Sequence, residues 1–195
     1  MTPRLLATVG GVCVLCLAGL AAVFVAGRSN DSNRAAATAA AVDKGSIAVG
    51  DPIPQPQGKT VLRVTGVQSG NAGAHATEVD LRTLEQLPQV KERVREPFLK
   101  RDVSFSGVRM ADLLAVMGVS PSSGGIEMHA LDDYHVGFTQ AELTSSGAVL
   151  ATRADGARIP VKDGGPIRII LTRPGKLADN SDNWIWSVDR MRASR

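Results

Sequence analysis

The chain has 195 residues, with 22 lysines and arginines against 19 aspartates and glutamates, and its formal net charge is +3. A phosphate-binding surface needs a concentrated basic field, so this near balance argues against a nucleic-acid partner. The length allows one domain besides a terminal segment. Because the only two cysteines are Cys13 and Cys16, no disulfide can form within the rest of the chain.

The first segment, residues 1–27, is predicted to be a transmembrane anchor. Residues 5–27 form an uncharged run of 23 residues, LLATVGGVCVLCLAGLAAVFVAG, and a helix of about 20 apolar residues is enough to cross a bilayer core. A cleaved signal peptide is the alternative, but its apolar core spans only about 7 to 15 residues. Cys13 and Cys16 have CxxC spacing, yet a lipid environment disfavours the reactive thiolate, so we expect no redox role for them.

Residues 28–58 are predicted to be a flexible linker rich in alanine and proline. Pro52, Pro54 and Pro56 stand at alternate positions, which blocks helix formation and sheet pairing and favours an extended spacer. We expect no core there, and the folded domain is predicted to cover residues 59–195.

The first half of that domain is predicted to contain two strands around a short helix. The segment TVLRVTGV has strand alternation, and DLRTLEQLP indicates a short helix with Asp80 as its N-cap. The segment QVKERVRE is favoured as a second strand, with Lys91, Arg93 and Arg95 on one face. We interpret that basic face as a solvated strand surface.

In the second half, strands and helices are predicted to follow one another in no regular order. Strands are predicted at VSFSGV, GIEMHAL, HVGF and GGPIRIIL, and a hairpin at GAVLATR with RIPV. A helix is predicted at RMADLLAVMG, ending at Gly118. Thr139 and Glu142 form a capping box that opens another helix. NWIWSVDRM is predicted to be a final strand with Trp184 and Trp186 on one face. Many short strands with a few short helices define an α+β class, here a β-rich mixed-sheet domain.

The densest group of chemically functional side chains is MHALDDYHVGF, which contains His129, His135, Asp132, Asp133 and Tyr134. Two histidines and two carboxylates could ligate a divalent metal, although their spacing matches no standard site. The alternative is a solvated turn between two strands, in which aspartate favours the turn geometry. We favour the turn.

The second candidate is VKDGGPIRIIL. Gly164 and Gly165 allow close backbone approach, so exposed amide groups there could meet an anion, with Lys162 and Arg168 adding positive charge. The alternative is that the glycines only turn the chain before a buried strand. On the residues alone, the turn is the favoured interpretation.

Taken in order, several segments resemble the oxidoreductase molybdopterin-binding domain, the fold of the sulfite oxidase catalytic core. They are VLRVTGV, VDLRTLEQLPQV, FSGVRMADLLAVMGV, DDYHVGFTQAEL, AVLATRADGARIPVKDGGPIRIIL and WIWSVDRM. The resemblance covers Lys59 to Arg192, with one departure: the proline after the GGPxR strand comes late, at Pro174. It implies a β-rich α+β fold with a pterin in a groove lined by loops, its phosphate held by basic side chains and backbone amides.

The resemblance also implies a molybdenum ligand that this chain lacks. In that family a cysteine thiolate between the LPQV strand and the GV helix binds the metal. Here the interval is KERVREPFLKRDVSFS, which contains no cysteine. We therefore expect no cofactor, or a molybdopterin bound without cysteine ligation, and no catalysis of oxo-anion oxidation or reduction.

The resulting hypothesis is a non-catalytic ligand- or partner-binding domain on the outer side of a bacterial cell membrane, in the periplasm, anchored by a single span. Its partners would be the membrane and a membrane or periplasmic protein. The residues assigned to the rim of its pocket are Asp133, Tyr134, Lys162, Gly164, Gly165 and Arg168. The alternative is an atypical molybdopterin-dependent oxidoreductase whose metal is held by solvent oxygen or Asp133.

Overall fold

The structure is a computed structural model that describes residue 43 and residues 45–66, 76–120 and 124–194. The predicted anchor, with Cys13 and Cys16, lies outside the described residues and stays a prediction. Within the described part of the chain, no helix is both long and apolar enough to span a bilayer.

Short strands dominate the described residues, and short helices connect them. The strands are β1 Thr60–Thr65, β2 Ala76–Asp80, β3 Gln89–Glu96, β4 Arg101–Arg109, β5 Gly125–Ala130, β6 His135–Phe138, β7 Ala148–Ala154, β8 Ala157–Arg158, β9 Arg168–Leu171 and β10 Val188–Ser194. The α-helices are α1 Leu81–Gln86, α2 Met110–Val116, α3 Gln140–Ser145 and α4 Lys176–Asp179. Single turns of 3-10 helix occur at Val161–Asp163 and Ser181–Asn183. The predicted β-rich α+β class is confirmed for this part of the chain.

The strands form two sheets. The first has the order β2-β1-β10-β5-β6, with β1 and β10 parallel and the other pairs antiparallel. The second has the order β3-β4-β7-β8, and β9 pairs with β7 in addition. Strands β3 and β4 form a hairpin closed by the turn at residues 97–100. The interval in which the resemblance implies a metal-binding loop is therefore mostly paired strand.

Most local predictions from side-chain periodicity are confirmed. On β3, Lys91, Arg93 and Arg95 are exposed, whereas Val90 and Glu96 at the ends of the other face are buried. The apolar stripe of α2 is fully buried; its members are Met110, Leu113, Leu114 and Met117. Alternation and helical spacing succeed here because one face of each element packs on the core.

The final strand differs from the prediction, because β10 begins at Val188 and both tryptophans precede it. The residues around Trp186 pair instead with the glycine-rich segment and with β9. The amide of Ser187 donates to the Gly164 carbonyl at 2.7 Å, and the amide of Ile169 donates to the Ile185 carbonyl at 2.8 Å. Trp184 and Trp186 therefore lie in an irregular segment that is hydrogen-bonded to β9 and to the chain just before it, not on a strand face.

The end of the predicted linker packs on the domain. Ile47 is buried, and the amides of Ser46 and Ile47 both donate to the Gln86 carbonyl. Farther along, the amides of Gln57 and Gly58 donate to the Asp80 carboxylate, each at 2.9 Å. The expectation was that this segment would not pack on a core. Its composition is typical of a spacer, but one buried isoleucine and a few backbone hydrogen bonds hold it against the domain.

Candidate ligand-binding site around Arg168 and Trp186

A buried ion pair joins the β3–β4 hairpin to β9. The Nη2 of Arg168 lies 2.6 Å from the Oε1 of Glu96, and the two side chains are only 2% and 0% exposed. The other carboxylate oxygen, Oε2, accepts the amide hydrogen of Leu99 in the hairpin turn at 2.5 Å. Both oxygens of Glu96 therefore have a partner inside the protein. Burial lowers the pKa of Arg168, and the hydrogen bond and charge of Glu96 oppose that shift.

Aromatic rings surround the guanidinium of Arg168. Its central carbon lies 4.7 Å from the ring centroid of Trp186 and 5.4 Å from that of Phe105. Phe98, on the hairpin turn, meets Trp186 edge to face with ring centroids 5.2 Å apart. A cation over an aromatic face is attracted by the ring quadrupole, and more strongly away from water. The buried charge is thus held by one carboxylate and two rings.

The two glycines of the GGPxR segment are needed for close packing. Gly164 has a φ of +85°, and a Cβ there would come within 2.7 Å of the Trp186 ring. A Cβ on Gly165 would lie 1.9 Å from the Ile159 carbonyl oxygen. The amides of Gly164 and Gly165 donate to the carbonyls of Val161 and Pro160. Those amides are therefore used within the turn, which is the interpretation favoured from the residues.

The Asp132–Tyr134 segment forms the predicted turn between β5 and β6. The Oδ1 of Asp132 accepts the amide hydrogen of Tyr134 at 3.2 Å, the side-chain contact expected of aspartate in a turn. The Asp133 carboxylate, 90% exposed, pairs with Arg190 at 3.0 Å. The Tyr134 hydroxyl donates to the Asp182 carbonyl at 3.0 Å, and burial, with the charge of Asp182, raises the pKa of Tyr134.

The two histidines of that region stack on each other across β5 and β6. Their ring centroids are 5.3 Å apart, and the Nε2 of His129 lies 3.5 Å from the Oε1 of Glu127. Among the described residues, no group of three or more histidine, cysteine, aspartate or glutamate side chains is arranged to hold a metal ion.

Two cavities lie beside Trp186, and different residues of the predicted site line each of them. One, of about 260 Å³, is lined by Tyr134 and Trp186 together with Phe98 and Asp132. The other, of about 410 Å³, is lined by Arg168 and Trp186. Lys162, on the 3-10 turn, is exposed. The structure therefore brings Tyr134, Gly164 and Arg168 to the surroundings of one indole ring, while Asp133 and Lys162 face solvent.

Sequence reasoning did not assign Glu96, Phe105 or Trp186 to the site. Strand alternation places Glu96 on the same face of β3 as Val90 and Val94, but Glu92 shares that face and is only half-buried, so alternation alone does not single out Glu96. Trp186 was expected on a strand face, and its contact with Arg168 depends on the irregular backbone before β10.

The chain matches a known family of domains. The model of the oxidoreductase molybdopterin binding domain family matches residues 85–194, more than half of the chain, so the chain belongs to this family. The resemblance found from sequence segments is thereby confirmed.

Among solved structures, the fold is similar to that of the sulfane dehydrogenase SoxCD from Paracoccus pantotrophus. The TM-score is 0.51 at 17% sequence identity, and the match covers 68% of this chain and 37% of that one. This likeness concerns the fold, and the match spans well under half the length of the SoxCD chain. No curated protein matches the sequence significantly.

The residues present do not fit the molybdenum ligation that the resemblance implies. Residues 17–195 contain no cysteine. Within residues 91–106, the interval in question, Glu96 is the buried polar side chain, and both of its oxygens are already bonded. A carboxylate that is already bonded in an ion pair does not offer a metal the soft sulfur ligand that a thiolate provides.

Proposed function

We propose that this chain is a non-catalytic, ligand- or partner-binding member of the oxidoreductase molybdopterin-binding domain family. The observation that carries the proposal is the buried contact between Glu96 and Arg168 at 2.6 Å. Glu96 lies in the interval where a metal-binding thiolate is implied; it is the buried acidic side chain of that interval, both of its oxygens are bonded, and the interval contains no thiol. A protein without that ligand keeps the fold and its cavities but not the metal chemistry.

The alternative ligand named for an atypical enzyme, Asp133, has poor support. Its carboxylate is 90% exposed and bonded to Arg190. Metal-ligating carboxylates that work in catalysis are normally oriented by further hydrogen bonds and shielded from bulk water. An exposed ion pair on a turn provides neither, so the binding function remains the better supported of the two.

The second part of the proposal is that residues 1–27 anchor the domain to the cell membrane, with the domain on the extracytoplasmic side. Its support is the uncharged run of residues 5–27, together with the tendency of long domains to be translocated largely regardless of charge. Membrane fractionation tests the anchor, and protease added to intact spheroplasts tests the side.

A matched variant sharpens that experiment. Leu15→Arg with Leu20→Arg places two charges in the run, and each costs about 2.5–3.5 kcal/mol near the centre of a spanning helix. The natural chain is expected in the membrane fraction and digested by external protease, whereas the double variant is expected to lose membrane association. Digestion only after lysis would contradict the extracytoplasmic placement.

The cofactor part is tested by oxidising the denatured full-length protein and measuring pterin fluorescence. The protein should come from cells with an intact molybdopterin pathway. We expect no fluorescence above that of an unrelated protein purified in parallel. Pterin without metal would indicate a carrier, and pterin together with molybdenum would support the oxidoreductase.

A further inference from the structure

The turn of the β3–β4 hairpin exposes two large apolar side chains. Phe98 is 48% and Leu99 51% exposed, although Glu96, only a few positions earlier, is fully buried. Phe98 also meets the half-buried ring of Trp186 edge to face, so the apolar surface continues beyond the turn. Single exposed apolar residues are normal on proteins, whereas contiguous ones mark interaction sites. The hairpin tip, residues 97–100, is therefore a candidate contact surface.

Exposed basic side chains run along the hairpin to this tip. They are Lys91, Arg93 and Arg95 on β3, Lys100 in the turn and Arg101 at the start of β4. Arg93 pairs with Asp102 at 3.4 Å. Arg101 pairs with Asp155 at 3.0 Å. In the part of the chain that the structure describes, the other three cations have no ion-pair partner. The hairpin therefore presents an excess of positive charge.

The neighbouring acidic side chains lie towards the side of the hairpin that packs on the domain. Glu92 is half-buried and alternates with the exposed cations of β3. Asp132 and Asp182 share a cavity with Phe98 on the side of the buried ion pair, and Asp163 lines the second cavity. A surface that approaches the tip and the exposed face of β3 therefore meets cations first.

An anionic lipid bilayer fits this combination of charge and apolar surface. Apolar side chains enter the boundary between headgroups and acyl chains, and lysine and arginine side chains are attracted to anionic headgroups. An acidic protein surface would pair with the cations but would leave Phe98 and Leu99 without an apolar partner. A bilayer supplies both kinds of contact.

The point at which the chain joins the domain allows this contact. Asp43 pairs with Gln89 at the start of β3, and the strand extends about 23 Å from there towards the tip. Residues 28–42, between the predicted anchor and Asp43, can span up to about 50 Å when fully extended. A chain anchored through residues 1–27 is therefore long enough for the tip to reach the same bilayer.

We propose that the tip of the β3–β4 hairpin docks on the anionic surface of the bilayer in which the chain is anchored. The inference rests on the proposed anchor, and it adds the face of the domain that meets the membrane. Phe98 and Leu99 enter the headgroup boundary, and Arg95 and Lys100, the unpaired cations beside them, bind lipid headgroups. Because Phe98 and Leu99 each line a cavity beside Trp186, docking brings both cavities close to the membrane.

Tryptophan quenching by brominated lipids tests the contact. Full-length Leu99→Trp is reconstituted in vesicles of phosphatidylcholine, alone or mixed with phosphatidylglycerol, whose acyl chains carry bromine. The emission of the introduced indole is the difference from the natural protein. We expect it to be quenched and shifted to shorter wavelength with phosphatidylglycerol, and to recover in phosphatidylcholine alone or at high salt, which screens surface charge. Both leaflets have the same composition, so the result does not depend on which way the chain inserts.

Ala115 supplies a control position away from the hairpin tip. It is exposed on α2, which begins directly after the far end of β4, about 26 Å of strand from the tip. Ala115→Trp should therefore show no quenching that depends on phosphatidylglycerol.

Two pairs of charge variants, each combined with Leu99→Trp, separate the hairpin cations from net charge. Arg95→Gln with Lys100→Gln should shift the equilibrium from contact to release by about 30-fold, because each cation near an anionic surface contributes about fivefold. Most of the quenching should then be lost. Lys59→Gln with Lys176→Gln removes the same charge from exposed positions outside the hairpin and should leave the quenching unchanged.

Four results would each overturn the inference: no quenching of Leu99→Trp, equal quenching with and without phosphatidylglycerol, equal quenching of Ala115→Trp, or equal effects of the two pairs of charge variants. The anchor is measured separately, by flotation of the natural chain with vesicles of phosphatidylcholine alone. A chain that floats with them but shows no quenching contradicts only the docking of the hairpin. A chain that does not float contradicts the anchor, whatever the hairpin does.

Discussion

The carboxylate of Glu96 and the guanidinium of Arg168 lie 2.6 Å apart with essentially no exposure of either side chain to solvent. Glu96 ends β3 and Arg168 begins β9, so one contact ties the tip of the β3–β4 hairpin to the strand that follows the two glycines. The pair is the most buried polar contact of the site, and its Arg168 lines the larger of the two cavities beside Trp186.

Removing one partner of this pair is expected to be strongly destabilising. Glu96→Ala leaves a buried guanidinium without its carboxylate, for which a loss of about 3–5 kcal/mol in the free energy of unfolding is expected. The double variant Glu96→Met with Arg168→Met removes both charges and replaces them with apolar volume. Urea unfolding should show it to be more stable than Glu96→Ala.

The double-mutant cycle formed by the natural protein, Glu96→Met, Arg168→Met and the double variant gives the coupling between the two residues. We expect the single losses to sum to more than the loss in the double variant, which is the signature of a paired interaction. Additive losses would mean that the two side chains contribute independently, against the structure.

The packing of Gly164 on Trp186 predicts a specific intolerance. Gly164→Ala forces a left-handed backbone, which costs about 1–2 kcal/mol, and places a Cβ within 2.7 Å of the indole. Gly156 is a matched control, because its φ of +86° is nearly the same as the +85° of Gly164 and nothing lies within 4 Å of a Cβ there.

Urea unfolding of the two alanine variants separates backbone strain from the ring contact. Gly156→Ala should lose only the backbone cost, and Gly164→Ala should lose about a further 1–3 kcal/mol from overpacking and change the near-ultraviolet tryptophan signal. Similar losses in both would show that the contact with Trp186 contributes little.

Asp80 is expected to make the domain sensitive to acid. Burial raises the pKa of this carboxyl, but hydrogen bonds from Thr83, Gln57 and Gly58 prevail and lower it from 3.8 to about 2. Because the pKa is depressed in the folded state, the stabilisation is complete above about pH 4 and is lost as the pH falls towards 2.

Asp80→Ala removes the N-cap of α1 and the anchor for residues 57–58, and should lower the free energy of unfolding at neutral pH by about 1–2 kcal/mol. Asp80→Asn keeps a capping oxygen and should lose less. In both, unfolding stability measured from pH 4 to pH 2 should fall less steeply than in the natural protein. An unchanged slope would assign the acid response to other carboxyl groups.

The sequence predicted most of the local structure because local rules govern it. The α2 stripe, the Asp80 cap, the Thr139–Glu142 capping box and the alternation on β3 each depend on residues a few positions apart. The pairing of β1 with β10, more than 120 residues later in the chain, depends on the whole fold. No local pattern in the sequence predicts it.

The candidate site was predicted in part for the same reason. Arg168 and the two glycines stood out as residue types, and the DDY turn was recognised from its aspartates. The contact of Arg168 with Glu96 joins residues 72 positions apart, and that with Trp186 depends on irregular backbone. No periodicity reports such contacts, so Glu96, Phe105 and Trp186 entered the site only with the structure.

This family member is predicted to bind no molybdenum. The most direct measurement is the molybdenum content per chain of the full-length protein, purified from cells that make molybdopterin and analysed beside a cysteine-containing relative from the same cells. We predict background metal in this protein and about one molybdenum per chain in the relative. One molybdenum per chain in this protein would contradict the account.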